Sequence, residues 1–173
     1  VAPQDAGGLA QFARAARKAG DAASSLEELA RIGVPGDAPE LAGLARDARV
    51  EARAAHKAND PRRAARHLVA LQRLRMLKEG DERLVHATAR RLHRIIVAQR
   101  ESGEMADVFA VASVLAELSP DDETALSALA SRARLVRNFK EAERLYARLL
   151  QIAPEKRAYS WMRDRVRNLV TGT

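Results

Sequence analysis

Apolar residues recur three and four positions apart along most of the chain, the spacing that puts them on one face of an α-helix. One segment shows it plainly with Ala64, Leu68, Leu71, Leu74 and Leu77. The alternation typical of β-strands is missing, and Gly and Pro fall between the periodic segments. The pattern therefore predicts an all-α protein.

Residues that start and stop helices divide this pattern into hairpins. Ser25 with Glu28 fits a capping box, Asp81 and either Asp121 or Asp122 are suitable N-caps, a turn is predicted near Asn138, and Gly33 and Gly80 stop helices. Helices are predicted over about 5–19, 39–58 and 61–79. In all, the chain is predicted to form four hairpins, at 5–33, 39–79, 81–118 and 121–153, followed by one helix at 155–169.

Pro120 and Pro154 each end a predicted hairpin and are 34 residues apart, the period of the tetratricopeptide repeat. The packing positions of that repeat correspond to Leu129, Ala130, Phe139, Ala142, Tyr146 and Pro154. The chain resembles the tetratricopeptide family, most specifically over 89–154. It departs from the family pattern near Glu123, where the usual Trp is replaced by Leu126.

This resemblance implies a single helical-repeat domain over 1–173, a right-handed solenoid of antiparallel helix pairs. The last helix would be its cap, with Trp161 and Met162 packed inward and its charged residues in water. Such proteins are non-enzymatic scaffolds that bind protein partners on a concave surface lined by the first helix of each hairpin. We therefore expect a protein interaction function.

Formal charge is concentrated in the middle of the chain. Residues 51–102 contain 13 Lys or Arg against 6 Asp or Glu, and the whole chain has a net charge of +7. The four residues Arg46, Arg49, Arg53 and His56 follow a 3, 4, 3 spacing and share one helix face. Arg side chains can hold carboxylates or phosphates with paired hydrogen bonds.

Mapping the resemblance onto the chain predicts a basic concave groove that binds an acidic peptide or surface. The candidate residues are Arg14, Arg17, Arg46, Arg49, Arg53, His56, Arg90, His93 and Arg100. A charged stripe can equally be the solvated face of an amphipathic helix. The alternative function is a regulatory module that binds nucleic acid or an anionic polysaccharide, although aromatic residues for base stacking are scarce.

Catalytic and cofactor signatures are missing from the sequence. It has no Cys, no phosphate-binding glycine loop and no nucleophile motif, so neither an enzyme nor a cofactor is expected. His86 and His93 share a helix face but lie among arginines, which disfavours a metal ion.

No apolar run is long enough to span a membrane. Because the chain begins with Val1, it is interpreted as an excerpt or a processed form. The Ala/Arg-rich composition favours a bacterial periplasmic or envelope setting, such as an assembly for secretion, pili or exopolysaccharide, over the cytoplasm.

Overall fold

The computed structural model describes residues 6–20 and 22–171, and this part of the chain forms nine α-helices and no strand. The helices are α1 (Ala6–Ala19), α2 (Ala22–Arg31), α3 (Ala42–Lys57), α4 (Pro61–Arg73), α5 (Glu82–Ser102), α6 (Met105–Leu118), α7 (Glu123–Leu135), α8 (Phe139–Ile152) and α9 (Arg157–Thr171). Short 3-10 turns at Pro39–Leu41 and Glu79–Asp81 precede α3 and α5. The all-α prediction is confirmed.

Three helices begin with a side chain that accepts a hydrogen bond from the first turn. Asp60, Asp122 and Asn138 accept from backbone amides three residues ahead, at 3.0, 2.9 and 3.3 Å. These bonds satisfy amides that have no partner within the helix. The local signals at these positions therefore predicted the starts of α7 and α8 correctly.

Two predicted boundaries are wrong. Helix α2 begins at Ala22, so Ser25 lies inside the helix rather than at its N-cap. Helix α4 ends at Arg73 rather than near Glu79, because Arg75 adopts a left-handed conformation with φ of 55°. The predicted start of the first helix near Asp5 lies outside the described residues.

Five of the described helices end in the same way, with a left-handed residue followed by an amide that bonds to a carbonyl five residues back. The left-handed residues are Gly33, Asn59, Arg75, Gly103 and Arg137. The five hydrogen bonds measure 2.8 to 3.0 Å. This geometry is the Schellman motif, and it satisfies carbonyls at the helix end with the backbone alone.

The chain divides into two compact units between Ala89 and Arg90, within α5. In the first unit α1 contacts α2 and α3, α2 contacts α3 and α4, and α3 contacts α4. All four helices contribute to one core, with Leu9 from α1, Leu26 from α2, Leu44 from α3 and Leu71 from α4. The core therefore holds the two helix pairs together.

In the second unit α7 contacts α6 and α8, and α8 contacts α9. Its core contains Ala130, Ala142, Tyr146, Leu149 and Val166, all nearly inaccessible to solvent. Because Ala142 is both small and buried, α7 and α8 can approach each other closely at this position. Residues from the last three helices thus form one continuous core.

Trp161 corrects the prediction for the last helix, because its side chain is 59% exposed rather than packed inward. Tyr159, Met162 and Val166 are the residues of α9 that contact the core. Successive helical residues are turned by about 100°, so Trp161 lies on the side of α9 opposite to Tyr159 and Val166. The inward prediction for Met162 is confirmed, since it packs partly buried against the core.

Candidate functional site

Arg49 on α3 forms an internal ion pair. Its Nε donates to Asp81 Oδ2 at 2.8 Å, and the two side chains are only 12% and 2% exposed. A second guanidinium nitrogen donates to the carbonyl oxygen of Met76. Arg49 therefore binds the segment between α4 and α5 and presents little of its charge to solvent.

Arg53 also contacts this segment, and His56 contacts α5. His56 Nδ1 lies 3.2 Å from Oγ1 of Thr88, a fully buried residue. Arg53 is 56% exposed, and its Nη2 lies 3.5 Å from Asp81 Oδ1. The four candidates predicted on one face of α3 are thus divided between an inner edge, with Arg49 and His56, and an outer edge.

The outer edge of α3 forms a continuous exposed line that we call the α3 basic stripe, comprising Arg46, Val50, Arg53 and Lys57. Their 4, 3, 4 spacing places them on one side of the helix. Val50 is an apolar residue with 56% exposure in the middle of this line. The stripe therefore combines three cations with one apolar contact point.

Neighbouring helices bind both carboxylates of α3. Asp47 receives Arg17 Nε from α1 at 2.6 Å, and Glu51 receives Arg63 Nη2 from α4 at 2.7 Å. Arg46, by contrast, has no ion-pair partner among the described residues. The carboxylates that would neutralise the α3 basic stripe are thus engaged elsewhere, and the stripe keeps a local excess of positive charge.

The remaining candidates in the first unit lie on α1. Arg17 crosses to α3 above Gly43, where an added Cβ would lie 3.0 Å from Arg17 Nη1. A glycine inside α3 therefore leaves room for the Arg17 side chain and its pair with Asp47. Arg14 is exposed, and its Nε donates to the carbonyl oxygen of Ala10 in its own helix at 3.3 Å.

Three candidates lie in the second unit, all on α5. Arg90 and Arg100 are exposed, and His93 Nδ1 lies 4.0 Å from Asp122 Oδ2. The charge of Arg100 acts on Tyr159 of α9, although it is a minor influence there. His93 thus lies within reach of the carboxylate at the N-cap of α7.

A cluster of Glu123, Lys156 and Tyr159 was not predicted. Lys156 Nζ lies 2.5 Å from Glu123 Oε1, and the Tyr159 hydroxyl donates to the same oxygen. The hydrogen bond from Lys156, followed by that from Tyr159, lowers the pKa of Glu123. Burial, followed by the bond to Glu123, raises the pKa of Tyr159 to about 12.

This cluster fastens the beginning of α9 to the beginning of α7. Lys156 and Tyr159 follow Glu123 by 33 and 36 residues in the chain, so helix periodicity gives no signal for the cluster. The arrangement joins the two helices through one shared carboxylate oxygen.

Within residues 6–20 and 22–171, no three His, Asp or Glu side chains come close enough together to hold a metal ion. In the same part of the chain, no helix is both long and apolar enough to cross a membrane. The chain matches no model of a known protein family and no curated protein.

Proposed function

We propose that the protein is a non-enzymatic scaffold that binds an acidic segment of a protein partner on the α3 basic stripe. One observation carries the proposal: Arg46, Arg53 and Lys57 surround the exposed Val50, while α1 and α4 bind the carboxylates of the same helix. Arg49 is left out of the proposed surface because Asp81 already binds it.

The proposal extends to the architecture. Contacts of α1 with α3 and of α2 with α4 support stacked helix pairs, as in a right-handed solenoid of tetratricopeptide type. Such a repeat displays one helix of each pair on its binding side, and α3 would be one of these helices. A bacterial envelope assembly, for secretion, pili or exopolysaccharide, is the setting we propose for this scaffold.

The stripe defines the partner chemistry. Seven residues of helix separate Arg46 from Arg53, which is roughly 10 Å along the axis. An extended peptide covers this distance in about three residues. We therefore expect a partner segment with two carboxylates about three residues apart and an aliphatic side chain between them that covers Val50.

The proposal is tested with a fluorescent peptide of this pattern and the double variant Arg46→Glu, Lys57→Glu. Fluorescence anisotropy should show at least about tenfold weaker binding, because the contact at Arg46 becomes repulsive and Lys57→Glu places a second negative charge one turn beyond Arg53. Arg53 is left unchanged since it also contacts Asp81. Circular dichroism should show the same helical content in both proteins.

The matched control is Arg62→Glu, Arg83→Glu, which makes the same change in net charge. Both residues are exposed, and neither has an ion-pair partner among the described residues. The control should bind the peptide almost as well as the unchanged protein. An equal loss of binding in both double variants would disprove a role for the α3 basic stripe.

A salt series separates this function from binding of nucleic acid or an anionic polysaccharide. Polyanion binding weakens steeply and linearly on a logarithmic scale as salt displaces condensed counterions. Binding to the proposed surface should instead keep its preference for the acidic peptide over a scrambled peptide of equal charge. Tight, sequence-independent binding to an oligonucleotide or a sulfated polysaccharide would favour the alternative.

A further inference from the structure

The outer side of α9 exposes large apolar residues, whereas a helix side that only meets water is expected to be polar. Trp161 is 59% and Leu169 is 54% exposed, two turns apart on the helix. Arg165 lies between them, with its guanidinium carbon 5.2 Å from the centre of the Trp161 ring. Trp and Arg are among the residue types enriched at positions that dominate binding at protein interfaces.

The charges around this line are uneven. Asp164 is paired with Arg163 at 2.8 Å, and Arg167 is paired with Glu143 of α8 at 2.8 Å. Arg165 has no carboxylate partner among the described residues, and the same is true of Arg157 one turn before Trp161. Positively charged and apolar residues therefore alternate along one row of the outer side of α9, in the order Arg157, Trp161, Arg165 and Leu169.

We infer that the outer side of α9 is a docking surface for an amphipathic helix of a partner protein whose apolar stripe is flanked by acidic residues. The partner's aliphatic side chains would cover Trp161 and Leu169, and its carboxylates would pair with Arg157 and Arg165. Amphipathic helices bind their partners through apolar anchors one or two turns apart. The inference concerns the second unit and does not depend on the α3 basic stripe.

Charge selects this occupant over a second copy of the chain. Two copies of α9 packed in parallel through these sides would bring like-charged arginines together, and a second copy offers no unpaired carboxylate on this side, because Asp164 is already paired with Arg163. Like charges across an interface oppose association. A helix flanked by Asp and Glu supplies the missing opposite charge.

The fluorescence of Trp161 provides a direct assay, because it is the sole Trp of the sequence. The full chain is titrated with a synthetic amphipathic helix that carries a leucine stripe flanked by glutamates. A second peptide has the same leucine stripe flanked by lysines. We expect the glutamate peptide to shift the emission to the blue and protect the indole from acrylamide quenching in a saturable manner, and the lysine peptide to do neither.

Arg165→Glu is the decisive variant, and Arg132→Glu is its control. Arg132 is exposed on α7 and has no ion-pair partner among the described residues. We expect Arg165→Glu to weaken binding of the glutamate peptide at least about tenfold and to improve binding of the lysine peptide, whereas Arg132→Glu changes neither.

Four results would overturn the inference. The first two are equal emission shifts with both peptides and no shift with either. The third is a blue shift of the Trp161 emission that depends on protein concentration without peptide. The fourth is protection of the indole by anionic phospholipid vesicles when neither peptide has an effect. The third would identify a second copy as the occupant, and the fourth a membrane surface. Peptide binding on α3, measured by anisotropy of a labelled peptide, would be unaffected by Arg165→Glu, so the two proposals fail separately.

Discussion

Replacing Asp81 by Asn is predicted to destabilise the first compact unit strongly. The Asp81 side chain is 2% exposed and receives Arg49 Nε at 2.8 Å and the Lys78 amide at 3.1 Å. Arg53 approaches the other carboxylate oxygen at 3.5 Å. Asn has the same size but no charge, so the variant leaves the buried Arg49 guanidinium without its counter-charge.

The expected loss of unfolding free energy is about 3 kcal/mol. Removing one partner of a buried ion pair typically costs about 3 to 5 kcal/mol, because the other charge stays buried without compensation. The lower end applies here, since Arg49 keeps 12% exposure and the Asn carbonyl can still accept one hydrogen bond. For a chain of this length, such a loss corresponds to a decrease in melting temperature of roughly 6 to 12 °C.

Urea unfolding measures this loss, and hydrogen exchange locates it in α3 and residues 76–88. Asp47→Asn is the matched control, because Asp47 and its partner Arg17 are 35% and 50% exposed. A surface pair of this kind contributes at most about 1 kcal/mol. If Asp81→Asn were no more damaging than Asp47→Asn, the burial of the Arg49–Asp81 pair would not determine its contribution, and our reasoning would be refuted.

Two further predictions concern Tyr159 and Gly36. Because the folded-state pKa of Tyr159 is raised from 10 to about 12, the stability linked to this hydroxyl is complete below about pH 10 and is lost as the pH rises towards 12. Stability measured by denaturant titration at alkaline pH should therefore fall more steeply for the unchanged protein than for Tyr159→Phe; parallel curves would contradict this. Gly36→Ala should lower stability by about 2 kcal/mol or more, because its Cβ would lie 1.7 Å from the backbone oxygen of Leu74. Thermal unfolding can test it against Gly80→Ala, where nothing lies within 4 Å of the added Cβ; equal effects would show that the turn relaxes freely.

Helix type and several helix ends were predictable because their determinants are local. Asp122 and Asn138 each accept from an amide three residues away, so the signal lies within one turn of sequence. The end of α4 was missed because Arg75 adopts a conformation that more often indicates Gly. A leucine periodicity that continued to Leu77 concealed this break. The tetratricopeptide assignment itself stays a prediction.

The candidate site was harder to predict because burial of a side chain depends on residues far away in the chain. Spacing placed Arg49 and Arg53 on one helix face, but their exposures of 12% and 56% depend on Asp81, about 30 residues later. The prediction for Trp161 was wrong for a similar reason. A large aromatic residue usually packs inward, yet α9 turns its smaller apolar residues towards the core.

The Schellman turns have a consequence for how the molecule forms. Each closes through a hydrogen bond spanning only five residues, such as Asp60 to Ala55 or Asn138 to Ala133, and requires no atom from another hairpin. Chains dominated by contacts of short sequence separation fold quickly, because little loop entropy is lost before a contact forms. The bend after each of these helices can thus form before any distant helix has packed against it.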